Sequence, residues 1–314
     1  MKVAVFGAGG IGAYYGSGFA RGGADVHLIA RGAHLEALRH DGLTIETGDG
    51  TVHQDLHATA DPAEIGPVDV VLFCVKSYDT ESAAPALRPL LGPDTAVVSL
   101  QNGIDNEPKI AEAVGWRHVL GGAAYIFAAI REPGVVVASG PRSIVFGEWT
   151  GGDPSARVTA IIEAAEAGGI GATTTPDIRA AKWEKYVLLA ALSSISAATQ
   201  LPLGDIRYSP AATAMLRDLM TEVWAVGRAS GVDLDDGLVD RQFALVMSQG
   251  DESKASLQTD LVRGRRMEID ALQGATVRLG SEHAVPTPNM NAAYAILEPW
   301  AIRNSASGAT RMHG

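Results

Sequence analysis

Short apolar runs alternate with segments of helical periodicity along the first half of the chain. The runs predict strands at residues 3–6, 25–30, 68–75, 96–100 and 118–121. The segments between them predict helices around residues 11–21, 34–40, 80–91 and 106–114. Strands that alternate with helices in this way are typical of a parallel sheet covered by helices.

Two further pairs of apolar runs predict antiparallel strands. Residues 43–47 and 52–58 are separated by Gly-Asp-Gly, which favours a hairpin after the second strand–helix unit. Residues 135–138 and 144–146 flank Gly140-Pro141. We expect this second pair to extend the parallel sheet at one edge.

The pattern changes near Pro176. Strand signals then vanish up to Ser305, and long helices are predicted over residues 178–198, 210–230 and 253–282. We therefore predict an α/β Rossmann-type N-terminal domain over residues 1–176, followed by an all-α C-terminal domain over residues 177–304. Residues 305–314 are small and polar, and we predict a disordered tail there.

A glycine-rich turn follows the first predicted strand. Gly7, Gly9 and Gly12 form a G-x-G-x-x-G motif before a helix of small residues. In dinucleotide-binding folds these glycines permit a tight turn, a close approach of the pyrophosphate and close packing of helix on strand. The helix N-terminus offers N–H groups to the phosphates. We predict that the cofactor-binding residues of this turn are Gly7, Ala8, Gly9, Gly10, Ile11 and Gly12.

The end of the second predicted strand indicates which dinucleotide is bound. NAD sites usually carry an acidic residue at this point, to accept a hydrogen bond from the ribose. This chain has Arg31 just beyond the strand and no acid. A guanidinium can pair with a 2′-phosphate, so NADP(H) is favoured over NAD(H). The alternative is an arginine that only faces solvent.

Polar residues at two strand ends and on one long helix suggest a site. Lys76 and Asn102 each follow a predicted strand, at the sheet edge where ligands bind. Lys185 begins an apolar helix face that continues through Leu189 and Ser193. Desolvation there would lower the pKa of the ammonium and favour proton donation. The alternative is a lysine that extends to water.

The segment from Ser256 to Glu268 is rich in charge. Such a segment is, taken alone, more typical of a solvated, ion-paired helix face than of a site.

Composition excludes several classes of protein. The chain has 314 residues, 46% of them apolar, which suggests about two globular domains. Its net charge of −11 argues against nucleic-acid binding. The single Cys74 cannot form an internal disulfide, no Cys/His cluster indicates a metal, and no apolar run reaches the ~18 residues of a membrane span. We predict a cytoplasmic protein with no metal and no membrane or nucleic-acid partner; the apolar helical half is compatible with a homodimer.

Together these features resemble the ketopantoate reductase (2-dehydropantoate 2-reductase) family over nearly the whole chain. The resemblance rests on the order and spacing of the G-x-G-x-x-G turn, Arg31, Val-Lys76, Gln-Asn102-Gly, Trp-x-Lys185, Ser256, Glu268-Ile-Asp, Gly274 and Val-Pro-Thr-Pro288.

The resemblance implies an NADP-dependent oxidoreductase that reduces a 2-oxo acid, with 2-dehydropantoate giving pantoate in pantothenate biosynthesis. It implies 6-phosphogluconate-dehydrogenase-like C-terminal helices. Lys185 matches the family's catalytic lysine, and Glu268 matches the acid that orients this lysine and the product hydroxyl. Asn102 matches a contact to substrate and cofactor, Ser256 a contact to the substrate carboxylate, and Lys76 a contact to the cofactor.

The chain departs from the family at two positions beside the catalytic lysine. Leu189 and Ser193 stand where the family typically carries asparagines. A lost polar contact in a buried site costs ~1–3 kcal/mol, enough to change substrate preference. The identity of the 2-oxo acid therefore stays open, and a related reductase with another carbonyl substrate is an alternative. A non-catalytic NADP-binding sensor is a further alternative, although it would need neither Lys185 nor Glu268.

Overall fold

The structure, a computed structural model, describes residues 1–311 and the side chains of residues 1–306. The strands in this part of the chain, β1 to β10, are Lys2–Phe6, Asp25–Ile29, Leu43–Thr47, Gly50–Gln54, His57–Thr59, Val68–Phe73, Leu91–Ser99, Val119–Glu132, Val135–Glu148 and Gly171–Thr174. The α-helices, α1 to α12, are Gly10–Arg21, Gly32–His40, Thr80–Ala83, Asn106–Val114, Ala156–Ala167, Ile178–Thr199, Leu203–Arg207, Pro210–Ala229, Leu238–Met247, Ser256–Val262, Ala275–Glu282 and Pro288–Arg311.

The chain divides into two compact units. The first unit consists of Met1–Gln101 and Asp105–Ala181, and the second of Asn102–Ile104 and Lys182–Gly314. The short segment Asn102–Ile104 therefore groups with the helical half, although it follows a strand of the sheet.

A single mixed sheet forms the centre of the first unit. Its strand order is β4-β3-β9-β8-β7-β6-β1-β2-β5, and β10 pairs with β9. Strands β6, β1 and β2 are parallel neighbours, with Val3 in register with Val26 and Val70. The Rossmann-type class predicted from the alternation of strands and helices is confirmed, as is the helical C-terminal half.

The sheet curls round α1. Tyr15 Oη on this helix donates a hydrogen bond to the carbonyl oxygen of Ser143 in β9, and Ser17 Oγ donates to Gln54 Oε1 in β4. Every residue from Gly12 to Phe19 is buried. A helix that is apolar all round must be enclosed, and the curled sheet supplies that enclosure.

The first predicted hairpin is only partly correct. Strands β3 and β4 pair antiparallel, but the residues after them leave the hairpin. Strand β5 returns to the opposite end of the sheet and pairs parallel with β2. The predicted strand over residues 52–58 thus consists of parts of two strands, β4 and β5. These lie at opposite ends of the one sheet, which its curl allows.

The second predicted pair is wrong. Its two halves belong to one strand, β9, which pairs antiparallel with β8. The register shifts opposite Gly140-Pro141-Arg142, where Gly140 and Arg142 have φ values of +84° and +59°. Proline cannot donate to the ladder, so it is tolerated at this bulge. The turn lies instead at Gly134, whose φ is +81°.

In the second unit, α6 and α8 lie close to their predicted positions, but the predicted helix over residues 253–282 is interrupted. It consists of α10, a loop with Gly264 at a φ of +63°, a single π-helical turn at Asp270–Gly274 and α11. None of the described helices has the length and apolarity needed to cross a membrane.

The disordered tail predicted at residues 305–314 is corrected as far as residue 311. Helix α12 continues to Arg311. Alanine is the best helix former, so a stretch of small residues does not by itself end a helix. Residues 312–314 lie outside the described residues.

Candidate functional site

Helix α6 places Lys185 next to Asn102 within the second unit. Lys185 Nζ donates a hydrogen bond of 2.9 Å to Asn102 Oδ1. The residue before Asn102 is itself anchored, since Gln101 Nε2 donates to the carbonyl oxygen of Val75 and to Thr80 Oγ1. The left-handed Gly103, with a φ of +99°, turns the chain immediately afterwards. This strand end thus holds the amide oxygen that fixes the direction of the ammonium.

The ammonium of Lys185 lies in an electrostatically unfavourable place. The pKa of Lys185 is lowered to about 7, mainly by burial and also by the charge of Lys182, while the carboxylate of Glu268 acts in the opposite direction. Lys182 and Glu268 are both buried. An acid with a pKa near the operating pH is well suited to give up a proton and regain it in each cycle.

The π-helical turn gives Glu268 its place. The carbonyl of Glu268 accepts a hydrogen bond from the Leu272 N–H, so the carboxylate stands at the start of this turn. The buried Tyr186, next to Lys185, donates through its hydroxyl to the carbonyl oxygen of Leu272. Single π-helical turns are frequent at functional sites. Here the Leu272 carbonyl ties Glu268's segment to the helix that carries the lysine.

The other predicted substrate residues have different environments. Leu189 is partly exposed on α6, while Ser193 is fully buried and its Oγ has no hydrogen-bond partner among the described residues. Ser256 is the exposed first residue of α10. No hydrogen bond among the described residues joins Ser256 to Lys185, Asn102 or Glu268.

The glycine turn of the first unit has the space that a bound pyrophosphate requires. A Cβ added at Gly7, whose φ is +93°, would lie 2.9 Å from the Val75 nitrogen. A Cβ at Gly12 would lie 2.4 Å from the carbonyl oxygen of Gly7, whereas a Cβ at Gly9 would meet nothing within 4 Å. The first and third glycines are thus required by the fold, and Gly9 leaves open space at the N-terminus of α1. These residues fit a dinucleotide.

Cationic side chains lie beside this turn. Arg31 lies two residues beyond β2 and directly precedes α2, and Lys76 lies beyond β6. Both side chains are exposed, and Arg31 makes no ion pair within the described part of the chain. Since β2, β1 and β6 are adjacent and parallel, Arg31, the glycine turn and Lys76 share one edge of the sheet.

His34 supports the glycine turn, a role that no sequence motif indicates. Its Nε2 lies 2.8 Å from the carbonyl oxygen of Ala8, and its Nδ1 accepts a hydrogen bond from the Gly134 N–H. Because Nδ1 accepts, the ring proton must be on Nε2, which donates to Ala8. Burial lowers the pKa of His34 and keeps the ring neutral. Only its position in the first turn of α2 distinguishes it in the sequence.

Cys74, next to this turn, packs against the core of the first unit. Burial raises the pKa of its thiol, so the thiol packs as an apolar group.

A Rossmann-type unit with an open glycine turn, followed by a helical unit with a lysine of lowered pKa, defines a dinucleotide-dependent oxidoreductase. Residues 3–151 match the family model of ketopantoate reductase PanE/ApbA, and residues 177–300 match that of its C-terminal domain. The chain belongs to the ketopantoate reductase family.

Relatives match the chain over nearly its full length. A 2-dehydropantoate 2-reductase of Mesorhizobium japonicum is 33% identical, with 96% of this chain and 98% of the relative covered. One of Halobacterium salinarum is 34% identical, with 92% and 95% covered. A crystal structure of a PanE/ApbA family ketopantoate reductase from Ralstonia eutropha superimposes with a TM-score of 0.89 at 34% identity, covering 97% of this chain and all of that one.

We predict that His34→Ala weakens binding of the nicotinamide cofactor. The substitution leaves the Ala8 carbonyl and the Gly134 N–H without their partner, and the glycine turn loses its support. We expect the dissociation constant, measured by fluorescence titration, to rise about tenfold, which corresponds to ~1.4 kcal/mol. His40→Ala, at an exposed position of the same helix, is the control. An unchanged dissociation constant in folded His34→Ala would show that the histidine does not support the turn.

Proposed function

We propose that the protein reduces a 2-oxo acid to a 2-hydroxy acid with NADPH, and that the substrate is 2-dehydropantoate, giving pantoate for pantothenate biosynthesis. The observation that carries the proposal is the pairing of Lys185 Nζ with Asn102 Oδ1, in a place where the pKa of the lysine is lowered to about 7. The names of the two relatives favour this substrate.

Reduction of a ketone requires a proton at the oxygen. NADPH, when bound, supplies the hydride to the carbonyl carbon. The ammonium of Lys185 polarises the carbonyl, stabilises the negative charge that grows on its oxygen, and donates a proton to it. The products are the secondary alcohol, NADP⁺ and a neutral lysine, which regains its proton from solvent. The carboxylate of Glu268 favours that reprotonation, and Asn102 keeps Nζ directed.

The first unit contributes the residues proposed to bind the cofactor. We propose that residues 1–176 form the NADP-binding domain and residues 177–304 the substrate domain. Arg31 pairs with the 2′-phosphate, the glycine turn receives the pyrophosphate, and Lys76 contacts the cofactor. The exposed Arg31 and the lack of an acid at the end of β2 support NADP(H) over NAD(H).

The residues beside Lys185 bear on the choice of 2-oxo acid. Leu189 presents an aliphatic side chain one turn beyond the lysine, and the Oγ of Ser193 is buried without a partner. An apolar wall favours an apolar substrate body, and the unpartnered hydroxyl is suited to accept or donate one hydrogen bond.

A panel of 2-oxo acids with NADPH tests the reaction and its substrate. We expect 2-dehydropantoate to be reduced with an ordinary enzyme efficiency, and Lys185→Met to lower kcat at least about 100-fold, since a general acid contributes 10²–10⁴-fold. If the enzyme prefers a bulkier 2-oxo acid and Leu189→Asn removes that preference, the proposed substrate is wrong but the proposed reaction stands. If no 2-oxo acid is turned over despite tight NADPH binding, the alternative of a non-catalytic NADP-binding sensor is favoured.

Arg31→Ala tests the cofactor. We expect this substitution to raise the dissociation constant of NADPH about tenfold or more and to leave that of NADH nearly unchanged, because only NADPH carries the 2′-phosphate. Arg39→Ala, at an exposed position on the helix α2 that Arg31 precedes, is the matched control. Equal losses for both cofactors would contradict the proposed contact.

Lys182→Met tests the electrostatics of the site. The charge of Lys182 lowers the pKa of Lys185, so its removal raises that pKa. Reduction needs protonated Lys185 and therefore falls as the pH rises through this pKa. We expect the falling limb of the kcat–pH profile to move to higher pH in Lys182→Met and to stay in place in Lys182→Arg, which keeps the charge. A limb that stays in place in both variants would show that Lys182 does not set the proton affinity of Lys185.

A further inference from the structure

Two histidines face each other at one end of the sheet, away from every residue assigned above. His27 in β2 and His57 in β5 are register partners in adjacent parallel strands. Their Nδ1 atoms are 3.2 Å apart, and their rings meet at an angle of 65°. Strand β5 is the last strand at this end, so His57 is exposed and nothing in the sheet covers the pair from outside.

A carboxylate stands behind the first histidine. Asp25 Oδ2 lies 3.2 Å from His27 Nε2, the ring nitrogen that does not face His57. Histidines that bind metals usually direct their second nitrogen at a carboxylate or carbonyl, which fixes the tautomer and makes the first nitrogen a stronger ligand. Asp25 is close enough to take this part, although His27 Nε2 makes no hydrogen bond to it in the absence of an ion.

The separation of the two Nδ1 atoms is also that of two ligands of one ion. Zinc binds imidazole nitrogens at about 2.0–2.1 Å, and two such bonds at the tetrahedral angle put the nitrogens about 3.3 Å apart. The backbone ladder between β2 and β5 holds the two rings at this spacing before any ion arrives, so little ordering is needed on binding.

We propose that His27 and His57 bind one divalent transition-metal ion, zinc or copper(II), through their Nδ1 atoms, with Asp25 orienting His27. Imidazole ligands suit these ions rather than magnesium or calcium. No group of three or more His, Cys, Asp or Glu side chains in the searched part of the chain is placed to hold a metal. Water therefore completes the coordination, and the ion exchanges readily.

In the metal-free protein, the two histidines are hydrogen-bonded to each other, and this bond must open before both can bind an ion. One Nδ1–H donates to the other Nδ1. When the ion binds, the donating ring carries its proton on Nε2 instead of Nδ1, and both Nδ1 atoms offer lone pairs. The ion then joins β5 to β2, where the strands share only three register pairs.

Titration of the metal-free full-length protein with copper(II), followed by electron paramagnetic resonance, tests the site. We expect one ion per chain with two equatorial nitrogens in the wild type, and one nitrogen with at least about tenfold weaker binding in His57→Ala. Asp25→Asn should weaken binding by a smaller factor, because it alters only the orientation of His27. His53→Ala is the control, since His53 is an exposed histidine next to Asp55.

Zinc supplies a second readout. We expect zinc to raise the Tm of the wild type and of His53→Ala, but not of His57→Ala or His27→Gln. Reductase activity should be the same in all four proteins, since neither histidine belongs to the proposed site. Identical titrations of the wild type and folded His57→Ala, or binding that follows His53, would overturn the proposal.

Discussion

The free-energy cost of holding the Lys185 ammonium in a partly buried place determines how the residues around it in the second unit are arranged. Lys185 would have a pKa far above neutral in water, and burial and the charge of Lys182, opposed by Glu268, bring it to about 7. A site with these two lysines alone would discharge the ammonium. Glu268 and the amide oxygen of Asn102 keep the charged form accessible, so the balance among these groups sets the proton affinity on which donation depends.

That balance requires the groups to be held rigidly, and different backbone devices do so. Lys185 lies on a long helix, and Asn102 lies in a turn that Gly103 permits. Glu268 lies at the start of a π-turn. The hydroxyl of Tyr186 joins the π-turn to the lysine's helix. In the first unit, the neutral His34 plays the same part for the glycine turn. The two turns and the π-turn have backbone geometry that a regular helix or strand would not adopt.

The sequence predicted the features that depend on residues close together in the chain. The apolar run of β1, its glycine turn and the long helix α6 follow from spacing within one element. The hairpin at β8 and β9 was missed because Gly140-Pro141 is compatible with a bulge as well as with a turn, and only the partner strand decides between them. His34 acts on Ala8 and Gly134, both distant in the chain, so no local pattern could indicate it. Lys185 and Glu268 were found through the order of the whole set of motifs.

In the proposed mechanism, the reaction and the substrate depend on different residues. Proton donation would need Lys185, Asn102 and Glu268, whose mutual contacts lie within the second unit and do not involve Leu189 or Ser193. Hydride delivery would need only the cofactor proposed to bind the first unit. On this proposal, changes at Leu189 and Ser193 alter which 2-oxo acid fits beside the ammonium and leave the ammonium's own partners in place. A family with this division can change substrates by replacing side chains one or two turns along α6 while the chemistry of the lysine is retained.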